Sequence, residues 1–297
     1  MIPRAWVLNL DAEDELLRGH PSTPSRVERA RIEAMTSRLR GTLVPQGDVI
    51  VWPGGDPVAA GARGRAWCPT PGALARLRAV GATVPSAPTV GVIRAVNHRA
   101  WAASRGLHLP GARWLPDPDA FARHMEAPWP SGGWLLKRPL GHAGRGRLHL
   151  RARRELDDRR HAGWVRNAFA EDGLLAEPFV ARALDLGLHG WLAPGGALSV
   201  GALTRQVCDD RGAWVETRLC EEGALSRSEI GLIEEIFLDT ARGLSEAGYH
   251  GPFGVDAFVW RDDAGARRLQ PRSEVNARYS MGWAVGMAAT RPDLSCP

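Results

Sequence analysis

Trp134-Leu135-Leu136-Lys137-Arg138-Pro139-Leu140-Gly141-His142-Ala143-Gly144-Arg145-Gly146-Arg147 holds the one lysine of a chain whose lysines and arginines total 38. A chain that writes nearly every cation as arginine keeps a lysine where a compact ammonium on a flexible stem does what a planar fork cannot. Reaching a phosphate oxygen beside close-fitting backbone is one such task, and a chance survivor of the drift to arginine is the plainer alternative. The stretch reads as a strand ending at Lys137, a glycine-rich tip, and a strand returning from Arg147 to Leu150. Gly141, Gly144 and Gly146 would let backbone N–H groups approach a polyphosphate, with Lys137 supplying charge at the loop base. A plain hairpin tip accounts for the same glycines. A Walker A loop does not fit, because there the lysine follows the glycines and precedes Ser or Thr.

Downstream lies a second cluster. Gly254-Val255-Asp256-Ala257-Phe258-Val259-Trp260 reads as a strand, turned by Asp262-Asp263-Ala264-Gly265 into Leu269-Gln270-Pro271-Arg272-Ser273-Glu274-Val275-Asn276-Ala277-Arg278. Strand alternation would place Gln270, Arg272, Glu274, Asn276 and Arg278 on one face. A hairpin partner bringing Asp256 to that face gathers two carboxylates, an amide oxygen and guanidinium groups. Such oxygen donors suit Mg²⁺, which takes one or two protein carboxylates and completes its octahedron with phosphate and water. A solvated edge strand with a local salt bridge is the plainer alternative, and the apolar neighbours Phe253, Phe258, Met281 and Trp283 argue against it. Between the clusters, Leu174-Leu175-Ala176-Glu177-Pro178-Phe179-Val180 is an apolar strand interrupted by an acid, readable as core or as a slot for a flat ring.

Upstream, strands and helices alternate. Ala5 to Leu10, Asp48 to Trp52 and Arg65 to Cys68 read as strands. A helix opens at the Ser25/Glu28 capping box with Ile32, Met35 and Leu39 on one face, and another spans Pro71 to Val80. This predicts an α/β layer with a parallel sheet, and no G-x-G-x-x-G marks a dinucleotide site. From Asn97 the pattern becomes α+β: a short helix to Gly106, a strand Ala112–Leu115, a helix near Asp119 to Met125, and a solvated helix face over 151–160. A long helix follows, capped by Ser226 and Glu229, with Ile230, Ile233, Phe237 and Leu244 on one side and Gly248 at its end. Three units are expected, 1–96, 97–176 and 177–297.

Bulk composition narrows the function classes. Apolar residues make up 44% and charged residues 24%, ordinary for a soluble globular chain. No apolar run is long enough to span a membrane, and the N-terminus reads as a strand, not a signal peptide. Cys68, Cys208, Cys220 and Cys296 have no close pair, which suits a reducing cytoplasm. The net charge of +5 comes from bases interleaved with acids, so nucleic acid is not the expected partner. An anionic small molecule suits it.

In order and spacing, these segments resemble the ATP-grasp superfamily of carboxylate–amine ligases over about residues 90 to 285. The resemblance implies ATP and Mg²⁺ (or Mn²⁺) as cofactors. It also implies Lys137 on the phosphates, with Gly141, His142, Ala143, Gly144 and Gly146 in a lid. Glu177, Pro178, Phe179 and Val180 would frame adenine, Asp185 would meet the ribose, and Asp256, Glu274 and Asn276 would hold the metal. Arg99 stands where the family has an earlier lysine. The implied reaction converts a carboxylate to an acyl phosphate and joins it to an amine, with amino acids or a peptide among the candidate substrates. Arg278 and Arg205 would steady the acyl-phosphate oxygens. Phosphoryl transfer to a hydroxyl, or nucleotide binding without turnover, are the alternatives. A homodimer is the default assembly.

Overall fold

The computed structural model describes residues 3–21, 23–106, 109–141, 146–209 and 214–295. The chain opens with β1 (Ala5–Val7), whose three residues are fully buried, as expected of a central parallel strand covered on both faces. It lies parallel to β2 (Val49–Ile50) on one side and β3 (Gly64–Ala66) on the other. Helices α1 (Ala12–Arg18), α2 (Arg26–Leu39) and α3 (Pro71–Ala79) belong to this layer. The α2 capping box forms as expected: Glu28 N–H donates to Ser25 Oγ, and Ser25 N–H to the Glu28 carboxylate. Only Leu39 of its three expected contacts is fully buried, so α2 lies on the surface.

Two helices stand where one was expected. Thr89 caps α4 (Val90–Asn97) and His98 caps α5 (Arg99–Ala103). The break is at His98, whose backbone is extended (ψ 131°), so the chain turns there and directs Arg99 inward.

The middle sheet is antiparallel, ordered β4-β7-β5-β6. It comprises β4 (Arg113–Leu115), β5 (Trp134–Lys137), β6 (Arg147–Leu150) and β7 (Leu174–Pro178), with α6 (Pro118–Met125) and α7 (Arg159–Ala170) between them in sequence. Leu115, Met125, Trp134, Leu136, Leu150, Ala168, Leu174 and Ala176 form its core. Residues 151–160 are not one helix. A 3-10 turn, Arg153–Asp157, ends at Asp158, whose carboxylate accepts the Arg160 and His161 N–H groups and starts α7.

The large sheet runs β11-β10-β8-β12-β13, with β9 (Leu198–Val200) on β8 (Arg182–Leu192). Its other strands are β10 (Thr204–Cys208), β11 (Trp214–Leu219), β12 (Gly251–Arg261) and β13 (Arg267–Asn276). Helix α8 (Arg227–Glu246) covers one face, where Ile233, Phe237 and Leu244 pack on Val255, Ala257, Val259 and Val275. Ile230, expected with them, is 37% exposed. Arg272 also departs from expectation. Between the pairs Phe258↔Gln270 and Asp256↔Glu274 the register shifts, so alternation from Gln270 to Glu274 is broken. Arg272 therefore points to the α8 side, donating to Thr240 Oγ1 and to the Arg105 and Gly106 carbonyls. Pro271 sits in this bulge on an edge strand, where a missing N–H is tolerated.

After β13, α9 (Trp283–Gly286) and α10 (Pro292–Ser295) return to the first sheet. Tyr279, Trp283 and Met287 share a core with Trp6, Leu8 and Leu16, joining the last segment to the first. The expected boundaries at 96/97 and 176/177 fall inside α4 and β7. Cys68, Cys208 and Cys220 are free thiols, and Cys296 lies outside the described residues. Among the described residues no helix is long and apolar enough to cross a membrane.

Candidate functional site

The open face of the large sheet meets the middle sheet across a cluster of charges. Lys137 ends β5 with 1% exposure, its Nζ 2.5 Å from Glu177 Oε2. Strand register produces this pair: Leu135 lies opposite Glu177 and Lys137 opposite Leu175, so both charges occupy one face on a diagonal. Burial pushes the ammonium pKa down, and Glu177 opposes it. On the other flank Lys137 is paired in register with Arg147.

From the large sheet Glu274 rises into this group. Its Oε1 accepts from Arg99 Nη2 at 2.6 Å and its Oε2 from Arg147 Nη2 at 3.5 Å. Arg99 is itself fixed, donating from Nη1 to the Arg138 carbonyl and from its backbone N–H to Pro139. Burial alone would raise the Glu274 pKa. Arg99, Arg147, Lys137 and Arg278 overcome that and hold it down to about 2.

Asp256 lies directly opposite Glu274 in the β12–β13 ladder, with contrasting neighbours. Gln206 Nε2 donates to its Oδ1 at 2.9 Å and Asn276 Nδ2 to its Oδ2 at 3.1 Å. Burial, with the nearby Glu274 charge, pushes its pKa up to about 6. One step along the same face is His189, 1% exposed. A Cβ on Gly187, Gly254, Gly282 or Gly286 would meet its ring at 3.0, 3.0, 3.1 and 2.8 Å, so glycines of β8, β12 and α9 shape its slot. Burial lowers its pKa to about 4, which keeps it neutral.

The donor chemistry at Asp256 fits a hard dication. Among the described residues no three His, Cys, Asp or Glu side chains gather, so an all-protein cage is not what the site offers. Two facing carboxylates and the Asn276 amide suit Mg²⁺, whose other ligands are phosphate and water. At Asp256, burial and the facing Glu274 charge outweigh Gln206, Arg182 and Arg278, so the carboxyl is raised.

Other expected residues divide. Asp185 lies on this open face opposite Phe258 and accepts from Arg182 at 2.9 Å. Phe179 is 41% exposed and stacks on His149 at 3.9 Å, while its N–H donates to the Gly133 carbonyl. Pro178 pairs with Trp134, and Val180 follows in the exit from β7. Gly141 and Gly146 flank the loop, and His142, Ala143 and Gly144 lie outside the described residues. Arg278 is buried against Glu13 of α1 at 2.6 Å and over Trp67. Arg205 is a correction: Thr204 and Gln206 face the cluster, so alternation turns Arg205 to the opposite side, where it meets Glu221 at 3.3 Å.

Arg147, Gln206, His189 and Glu13 were not among the expected site residues. Arg147 was readable, since the hairpin around the glycine tip fixes it beside Lys137. The other three depend on contacts far apart in sequence, and nothing local marks them.

No family model and no curated protein matches the chain. Solved structures do. N5-carboxyaminoimidazole synthetase from Staphylococcus aureus, complexed with ADP, is 10% identical with a TM-score of 0.52, covering 94% of this chain and 71% of that one. The biotin carboxylase domain of Hydrogenobacter thermophilus 2-oxoglutarate carboxylase, a dimer with MgADP, ADP and bicarbonate, gives 14% and 0.55, covering 94% and 65%. D-alanyl-alanine synthetase A from Vibrio cholerae gives 12% and 0.51, covering 93% and 89%. The chain has the ATP-grasp fold. At these identities the likeness is one of fold; the cluster's place between the two antiparallel sheets follows from Lys137 and Arg147 on one and Glu274 on the other.

Proposed function

We propose that this ATP-grasp chain is an ATP-dependent ligase that activates a carboxylate as an acyl phosphate and joins it to an amine, releasing ADP and phosphate. The reading is carried by one observation: Lys137, Arg147 and Arg99 meet Glu274 between the two sheets, with Asp256 opposite Glu274 in the same ladder. The arrangement offers cations for a polyphosphate beside carboxylates for Mg²⁺. The structures it resembles are named for complexes with ADP and MgADP, which supports the same nucleotide here.

Phosphoryl transfer needs little covalent help from protein groups. It needs an in-line approach and neutralisation of charge on the transferring group. Lys137, held by Glu177, would contact the phosphates, and Asp256, Glu274 and Asn276 would hold Mg²⁺. When bound, the ion would neutralise phosphate oxygens and orient them. Arg278 would face the acyl group from the α1 side, and Asp185 the ribose. Pro178 and Val180 would border adenine near the stacked Phe179 and His149. The unit 97–176 would serve as lid and 177–297 as the Mg²⁺ and ATP part, with the acceptor pocket between it and 1–96.

The test is ADP release from the full chain with ATP, Mg²⁺ and a panel of small carboxylates and amines, with hydroxylamine added as a trap. Hydroxamate formation supports the ligase. A stable phosphoester would replace it with a kinase, and ADP release at background with every pair would leave a binding protein.

A further inference from the structure

Glu274 has a guanidinium on each oxygen, Arg99 on Oε1 and Arg147 on Oε2. They come from different parts of the molecule: Arg99 heads α5, and Arg147 heads β6 of the middle sheet, beside Lys137. A dication approaching Glu274 meets two positive charges already placed there, and like charges this close exclude one another. Asp256, across the ladder, has the neutral amides of Gln206 and Asn276 on its oxygens and, among the described residues, no guanidinium hydrogen-bonded to it. A guanidinium fork also matches a phosphate bidentately, with more donors than a carboxylate edge can use.

We propose that Arg147 competes with a divalent cation for Glu274 and transfers to a polyphosphate, while Arg99 stays on the other carboxylate oxygen, so that Glu274 accepts the metal only together with nucleotide. Arg147 is then a nucleotide-binding residue and a guard on the metal site at once. Its side chain is 32% exposed at a strand start, so it has room to swing, whereas Arg99 is pinned by Arg138 and Pro139 carbonyl contacts. This inference rests on the nucleotide reading above.

The experiment uses the full chain and Arg147→Met, with Arg147→Lys as a control that keeps charge without the fork. Mn²⁺ binding is followed by electron paramagnetic resonance with no nucleotide, and ADP binding by calorimetry in EDTA. In Arg147→Met, Mn²⁺ should bind about tenfold more tightly and ADP about tenfold more weakly, with Arg147→Lys between. Changes of opposite sign are the signature, since a merely structural role would weaken both. If both affinities fall together, or neither moves while wild-type chain still binds MgADP, the exchange is wrong and the nucleotide reading stands. If the wild-type chain binds no ADP with or without metal, the nucleotide reading itself fails and takes the exchange with it.

Discussion

Asp256 and Glu274 are neighbours across one ladder, yet the two ends of the site solve the same problem in opposite ways. At the Glu274 end, charge is met by charge: Arg99, Arg147 and Lys137 surround a carboxylate whose pKa falls to about 2. At the Asp256 end the hydrogen-bond donors Gln206 and Asn276 are neutral, as is His189 one step on, and the charge across the ladder is the like-signed Glu274. There burial wins and the carboxyl rises to about 6. Titratable groups driven apart by their surroundings mark divided labour. One end is built to hold anions, and the other to receive a cation.

Stability should respond with opposite signs at the two ends. Glu274→Gln leaves the buried Arg99 guanidinium uncompensated, and losses of this kind run to about 3–5 kcal/mol. Asp256→Asn should do the reverse. Its folded pKa is raised, so ionising it costs more in the folded chain than in the unfolded one, where the ordinary value is 3.8. That cost is absent below 3.8 and complete above about 6. The asparagine variant should therefore gain up to about 3 kcal/mol at pH 7.5. Urea unfolding without metal checks both, and a destabilised Asp256→Asn would dissolve the contrast.

Lys137 sharpens the anionic end. It is buried, with its ammonium on Glu177 and Arg147 beside it on the paired strand, so a larger planar fork would have to displace these neighbours. Lys137→Arg should lower kcat by about 10²–10³-fold, the typical cost of one misplaced charged donor. A thermal melt of the variant separates this from simple unfolding. Near-normal turnover in folded Lys137→Arg would make the position ordinary.

How much of this was legible follows the same divide. Features set by near neighbours could be read: the Ser25/Glu28 and Ser226/Glu229 caps, the hairpin that leads from Lys137 to Arg147, and the Asp256–Glu274 pairing. Helix α1 could not, because a seven-residue segment is held by tertiary contacts, Glu13 on Arg278 and Glu15 on Thr70 and Gly72, and not by periodicity. Arg272 was misplaced by alternation, and Arg205, placed by resemblance alone, lies on a face that only the β8 pairing reveals. Alternation gives a face only relative to a known register, and one bulge or one unknown partner strand reverses it.

His189 offers the smallest effect and the cleanest sign. Its folded pKa of about 4 lies below the ordinary 6.5, because burial disfavours the charged ring and no carboxylate offsets it. The unfolded chain takes up a proton between those values while the folded chain does not. Stability is thus complete above 6.5 and drains away as pH falls towards 4, by about 3 kcal/mol at most. Asp256 works against this over nearly the same range, since its protonation relieves the folded state as pH falls from 6 towards 3.8. A single titration would show the two partly cancelling. His189→Asn should be less stable at pH 7.5, having lost the ring that fills the glycine slot, but less sensitive to acid between pH 6.5 and 4 than the parent. Adding Asp256→Asn to the parent should expose the full histidine slope. If His189→Asn and the parent lose stability in parallel over that interval, the ring is already charged in the fold, and the Asp256 end is not the neutral pocket its contacts describe.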